Sequence, residues 1–204
     1  MSKKPKQYFR GSLHARRNPY PLLLALAIVG SSLIFLFLTF MLVVRQATVG
    51  QLHLTLPAAF WVSTVLIGIS SLTLSQSSRL FRKELFAQHY AWLLVTVVLG
   101  VGFVVAQGIG MYVLFAAGLT VRNNLAFAYL FILAGLHFLH IAVGLFFMFW
   151  NLADARKAKD YVEGYIQSLD PAKRTRLNMA VWFWHFLDVL WLILFLVLAL
   201  CLTD

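Results

Sequence analysis

His137 and His140 stand three residues apart inside one apolar block, and His185 and Asp188 repeat that spacing inside the last block. Residues three or four apart share a helix face, so each pair would offer two polar groups to one neighbour. Asp188 is the one acidic residue lying well inside an apolar block. In hydrocarbon such a group costs several kcal/mol, roughly 2.5 to 3.5 on insertion scales, unless something pairs with it. Three chemistries are open to this set. Polar side chains can tie helices together in lipid. Buried ionisable groups can mark a proton path or a lipid-headgroup contact. Three His and one Asp could also bind zinc or iron, and two facing His could ligate a haem. The plainest of these is interhelical glue: Asp188 paired with His140 or His137, walled by Trp184 and Trp191. Gln107, a polar residue in the third block, reads as a further interhelical hydrogen bond.

The elements that must carry these residues follow from composition. Hydrophobic residues make up 61% of the 204, charged residues 12%, and the mean hydropathy is +0.82. Soluble domains average nearer 45–50% apolar, so this is a polytopic membrane protein. The apolar blocks cover about 22–44, 54–74, 90–117, 125–150 and 179–202, each long enough to cross ~30 Å of hydrocarbon at 1.5 Å per residue. The reading is an all-α bundle of five transmembrane helices, residues 22–204, behind a basic tail over 1–21. The first block is too long for a signal-peptide core and reads as a retained anchor. Lone Cys201 excludes an intrachain disulfide.

Charge sets the expected orientation. Six Lys and Arg lie in the tail, three in the second connection (Arg79, Arg82, Lys83) and six in the fourth. The first and third connections hold only Arg45 and Arg122. The basic side is the cytoplasmic side, which puts the N-terminus inside and the C-terminus outside. The formal charge of +10 therefore serves topology and gives no basic groove for nucleic acid. With that topology, His140 lies fifteen residues from Leu125 and Asp188 fourteen from Leu202, at one depth on antiparallel neighbours.

Short first and third connections predict hairpins of helices 1–2 and 3–4. Asp170-Pro171 predicts an N-cap and first-turn proline of a short helix leading into the last span. Small residues Thr64, Gly68, Ser71 and Ser75, and Gly102, Ala106 and Gly110, predict close helix approach. The glycine pairs Gly100/Gly102 and Gly108/Gly110 sit inside an apolar helix, not after a strand, so they are not phosphate loops. No Walker loop, nucleophile elbow or paired catalytic carboxylate occurs, so the reading expects no active site in this chain.

Trp184-His185-Phe186-Leu187-Asp188-Val189-Leu190-Trp191-Leu192 resembles the W-H-F-V-D-V-V-W-L signature of subunit III of haem-copper cytochrome oxidases. Gly135-Leu136-His137-Phe138-Leu139-His140-Ile141-Ala142-Val143-Gly144 is similar to that family's G-F-H-G-L-H-V-x-x-G. Leu56-Pro57, Ser63-Thr64 and Ser70-Ser71, then Trp92, Thr96, Gly100, Phe103 and Gln107, follow two more of its patterns. The likeness is to the short bacterial form with five helices. Ser63 stands where the family usually has Asn, no acid occurs in the first span, and Gly110 replaces an acid often found there.

The resemblance implies a non-catalytic accessory subunit of a proton-pumping terminal oxidase in a bacterial plasma membrane. Haems and copper would belong to partner subunits, with no cofactor in this chain. Its partners would be subunit I, the other oxidase subunits, phospholipid bound between helices and, at a larger scale, a respiratory supercomplex. The related accessory subunit of nitric-oxide reductases shares much of the pattern. A small transporter or a haem-bearing membrane anchor is the alternative from another class; a transporter would show broken helices or a repeated half, and the sequence has neither.

Overall fold

The structure is a computed structural model that describes residues 19–49, 56–118 and 125–202. Most of the basic tail, and much of the first and third connections, lie outside the described residues. Six helices are described: α1 (Tyr20–Val49), α2 (Ala58–Arg82), α3 (Phe86–Ala116), α4 (Leu125–Lys157), α5 (Tyr161–Leu169) and α6 (Pro171–Leu202). All but α5 are long and apolar enough to cross a membrane. A helix satisfies its own backbone polar groups, which is what lets such segments lie in lipid.

The helices outrun the apolar blocks at the end of the bundle that carries the basic residues. α2 continues through Arg79 to Arg82, α4 continues through Arg156 to Lys157, and α6 begins at Pro171 instead of near residue 179. Polar residues are sound helix formers, so hydropathy marks the hydrocarbon thickness and not the helix ends. Asp170 precedes Pro171 and its carboxylate accepts the Ala172 amide at 2.9 Å. The helix so capped is the last span itself, continuous to Leu202, and not a short leader. The separate short helix is α5, which lies before that cap.

Between α2 and α3 the chain reverses in three residues. Glu84 takes φ +60°, the Leu85 amide donates to Leu80 and the Glu84 amide to Phe81. That pairing is the Schellman closure, which normally places glycine at the left-handed position. The tight turn makes α2 and α3 an antiparallel pair. α3 packs on α4 as well, and α6 is bordered by α1, α2, α4 and α5.

The expected hairpin of the first two helices does not form. α1 packs against α4 and α6. The reason lies on α2, whose buried stripe of Ser63, Ile67, Ser70, Leu74 and Ser77 is committed to other partners. Phe35 and Leu42 are the buried apolar anchors of α1, while most of its other residues face outward.

Candidate functional site

Trp184 lies at the centre of the bundle, 1% exposed, and touches three other helices. Its indole N–H donates to Ser70 Oγ on α2 at 3.0 Å. Its ring lies over Gly100 of α3, where a β-carbon would stand 2.8 Å from Trp184 Cη2. On α4, a β-carbon at Gly144 would meet Leu187 Cδ1 at 3.0 Å and Trp184 Cε3 at 3.3 Å. Both glycines are there to admit the indole. Thr73 and Thr96 join α2 to α3 beside it through hydroxyls 2.9 Å apart.

Two turns along α6, Trp191 repeats the device. Its N–H donates to Thr64 Oγ1 at 3.1 Å, its ring meets Phe103 edge-on at 5.5 Å, and it stacks on His137 at 5.6 Å. His137 is 3% exposed and enclosed by Trp191, Phe103 and Phe35. Neither of its ring nitrogens has a hydrogen-bond partner. His140 lies half-buried between Phe35 and Phe183. Its Nδ1 lies 2.7 Å from the Leu136 carbonyl, which can only accept, so Nδ1 carries the proton.

The expected pairing of Asp188 with His137 or His140 is therefore corrected. Asp188 is buried with its Oδ2 3.4 Å from His185 Nδ1, on its own helix. His185 in turn faces α2, with Nδ1 2.9 Å from Ser71 Oγ and Nε2 3.3 Å from Ser75 Oγ. The i, i+3 pair faces α2, while α4 meets α6 through Gly144 and Leu187 and through the ring contacts of His137 and His140. Gln107 donates to Ser63 Oγ at 2.9 Å, joining α3 to α2. Among the described residues, no three His, Cys, Asp or Glu side chains converge on a point where a metal could sit.

The small-residue stripes divide along the same lines. Thr64, Ser71 and Ser75 meet α6 through the bonds above, and a β-carbon at Gly110 would lie 2.9 Å from Phe60. Gly68 has nothing within 4 Å of its β-position, and Gly102 only Leu66 at 3.7 Å. The closest approach on α3 is made at Gly100, outside the four-residue repeat.

A second polar cluster, at the basic end, escaped sequence reasoning. His89, 5% exposed, has Nδ1 3.0 Å from the Ser77 carbonyl, while the Ser77 hydroxyl donates to the His89 carbonyl at 3.1 Å. Arg176 of α6 pairs with Asp154 of α4, donates to Asn151 at 3.4 Å and lies over the Trp150 ring. This cluster ties α2 to α3 and α4 to α6 where they leave the apolar layer. The signal available in sequence was an acid and a base at the same end of neighbouring spans, but no spacing rule links residues 22 apart. Nearby, the Tyr161 hydroxyl donates to Glu84 at 3.1 Å, and that bond to the carboxylate raises the phenol's pKa.

Two apolar grooves flank the centre. One of about 190 Å³ lies between α3 and α4 against Gln107, Gly108 and His137. The other, about 590 Å³, runs between α1, α4 and α6 past His140 to Arg176.

The sequence model of cytochrome c oxidase subunit III matches residues 61–201, the stretch that builds this centre. The chain belongs to that family. Among relatives of the subunit III family, subunit 3 of the cytochrome bo(3) ubiquinol oxidase of Pseudomonas aeruginosa is 30% identical over 139 residues, 68% of this chain and 62% of that protein. The probable cytochrome c oxidase subunit 3 of Mycobacterium leprae is 29% identical over 107 residues, 52% of this chain and 48% of that one. Subunit 3 of the quinol oxidase of Bacillus spizizenii is 27% identical over 135 residues, 66% and 61% of the two chains. The matched stretch spans about half to two thirds of the length of these curated relatives. As a subunit III family member with five long apolar helices, the chain is a multi-pass membrane protein.

Proposed function

We propose that the chain is a non-catalytic accessory subunit of a haem-copper terminal oxidase, working in a bacterial plasma membrane with its N-terminus inside. The carrying observation is the family match over residues 61–201, which takes in the Trp184–Trp191 segment and the residues Thr64, Ser70, Ser71, Gly100 and Gly144 that it meets. In this role the chain packs beside subunit I, holds phospholipid, and steadies proton uptake by the catalytic subunits, which own the haems and copper. The relatives' names include both cytochrome c and quinol oxidases, so the electron donor follows from the partner subunits and not from this chain.

Several features support the reading. The indoles of Trp184 and Trp191 and the imidazole of His185 are spent on joining α6 to α2, as polar glue is in lipid. Conserving one shape is what a docking subunit needs. The groove between α1, α4 and α6 is apolar along its length with Arg176 at one end, a form suited to an acyl chain under an anionic headgroup.

The test is recovery of the tagged full chain from its native membranes in mild detergent. The expected result is co-purification of a haem-bearing partner, read as a reduced-minus-oxidised haem spectrum, with subunit I identified by mass spectrometry. Recovery as a colourless protein with no haem-bearing companion overturns the proposal.

A further inference from the structure

Where α2 ends and α5 passes into α6, a polar cavity of about 360 Å³ opens at the basic end of the bundle. Arg82 and Ser78 of α2, Ser168 of α5, and Arg174 and Asn178 of α6 line it, with Glu84 at the turn. It is separate from the Trp184 centre and from both apolar grooves.

The donors outnumber the acceptors. Neither Arg82 nor Arg174 makes an ion pair or side-chain hydrogen bond among the described residues. The Ser78 hydroxyl is likewise unpartnered there, at a residue 9% exposed. Elsewhere in this protein a buried hydroxyl is bonded: Ser63, Ser70 and Ser77 all have partners. Glu84, the acid in the lining, has one carboxylate oxygen engaged by Tyr161. Ser168 donates its proton to the Tyr165 carbonyl, so it shapes the wall without contributing a donor. Two planar guanidinium forks, both at exposed residues, and a hydroxyl line this one open cavity, a set that fits a tetrahedral oxyanion, which Arg holds through paired charge-assisted bonds.

The surroundings narrow the ligand further. Phe81 and Leu177 give the cavity an apolar wall, and its volume exceeds what inorganic phosphate alone would fill. Beside it, α5 turns Val162, Ile166 and Leu169 outward, each more than 60% exposed. A short helix with such a face lies at a membrane interface, its apolar side against lipid. We infer that this cavity is a binding site for a phosphate ester, its oxygens held by Arg82 and Arg174 with the Ser78 hydroxyl behind them. The ester comes from an anionic phospholipid headgroup or from a soluble phosphate, and the inference does not depend on which complex the chain joins.

The experiment uses the purified full chain in nanodiscs of phosphatidylcholine, with and without a minority of phosphatidylglycerol, and with glycerol phosphate added to the lipid-neutral discs. Native mass spectrometry counts retained ligand, and the thermal midpoint reports its stabilisation. Ligand retained by the parent chain should bind roughly tenfold or more weakly in Arg82→Gln and in Arg174→Gln, the loss of one charge-assisted pair each. Ser78→Ala, which perturbs the fold least, should weaken it by a smaller factor. Arg156→Gln, at the same end but outside the cavity, should leave binding unchanged. Selective retention of phosphatidylglycerol identifies a headgroup site, and retention of glycerol phosphate in neutral discs identifies a soluble ligand; either supports the inference. It is overturned if neither is retained, or if Arg156→Gln weakens binding as much as the cavity variants do, which would mean diffuse charge attraction.

Discussion

Trp184 carries two kinds of interaction, and magnitudes decide which matters more. Its hydrogen bond to Ser70 spans two helices, and such bonds in membrane proteins average about 0.6 kcal/mol with a maximum near 1.7. Removing a fully buried Trp side chain costs about 3–5 kcal/mol through lost packing and the cavity left behind. Trp184→Phe should therefore lower stability by under about 2 kcal/mol, and Trp184→Ala by about twice that or more. Gly100→Ala forces a methyl within 2.8 Å of the indole and should cost about 1–3 kcal/mol as overpacking. Because the clash is with the indole, the Gly100→Ala and Trp184→Phe changes should be less than additive when combined. Reversible unfolding in mixed detergent measures all four; strict additivity would show that the glycine does not answer to the tryptophan. The Asp188–His185 pair has a different logic. A carboxyl group buried on a spanning helix needs a partner close by; neither Asp188 oxygen is hydrogen-bonded, and His185, one turn away on the same helix, is the ionisable neighbour at 3.4 Å.

At the scale of elements, α1 and α5 are the attached parts and α2, α3, α4 and α6 the frame. α5 is held through Gly164, whose missing side chain makes room for the Phe86 ring, close enough that any β-carbon there would overlap it. Gly164→Val should unseat α5 while the spanning helices stay folded. Amide exchange across Val162–Leu169 should then approach that of an unprotected peptide, with protection in α3 and α6 retained. Protection unchanged in α5 would mean that Tyr161 and Glu84 suffice to hold it. The Schellman turn at Glu84 is the matching device on the other side of that contact. It aims α3 back along α2 and presents the carboxylate to Tyr161, at the cost of a left-handed backbone at a residue other than glycine.

For the whole molecule, the distribution of charge predicts one orientation in the membrane. In a Cys201→Ser background, a membrane-impermeant maleimide applied to intact cells should label Arg122→Cys and not Lys83→Cys. The reverse pattern would invert the topology, while labelling of both would indicate mixed insertion. The same charges gather at the end where Arg176 and Asp154 lock α4 to α6 and where Arg82 and Arg174 flank the polar cavity. That end holds most of the exposed polar chemistry described for this subunit III family member, and the apolar layer holds its packing.

Hydropathy and charge alone determined that five segments span the membrane and which residues in them are polar, because burial in hydrocarbon leaves little freedom in composition. The motif around Trp184 also carried the family. Tertiary structure decided the partners: His185 and Asp188 turn to α2, His137 is shut among aromatic rings, and α1 crosses to α4 and α6. Residue spacing sets the face a helix presents, but the rotation and neighbour of each helix come from where glycines admit large rings. Gly100 and Gly144 had a visible identity in the sequence. That Trp184 fills the space they leave became legible only once four helices stood around it.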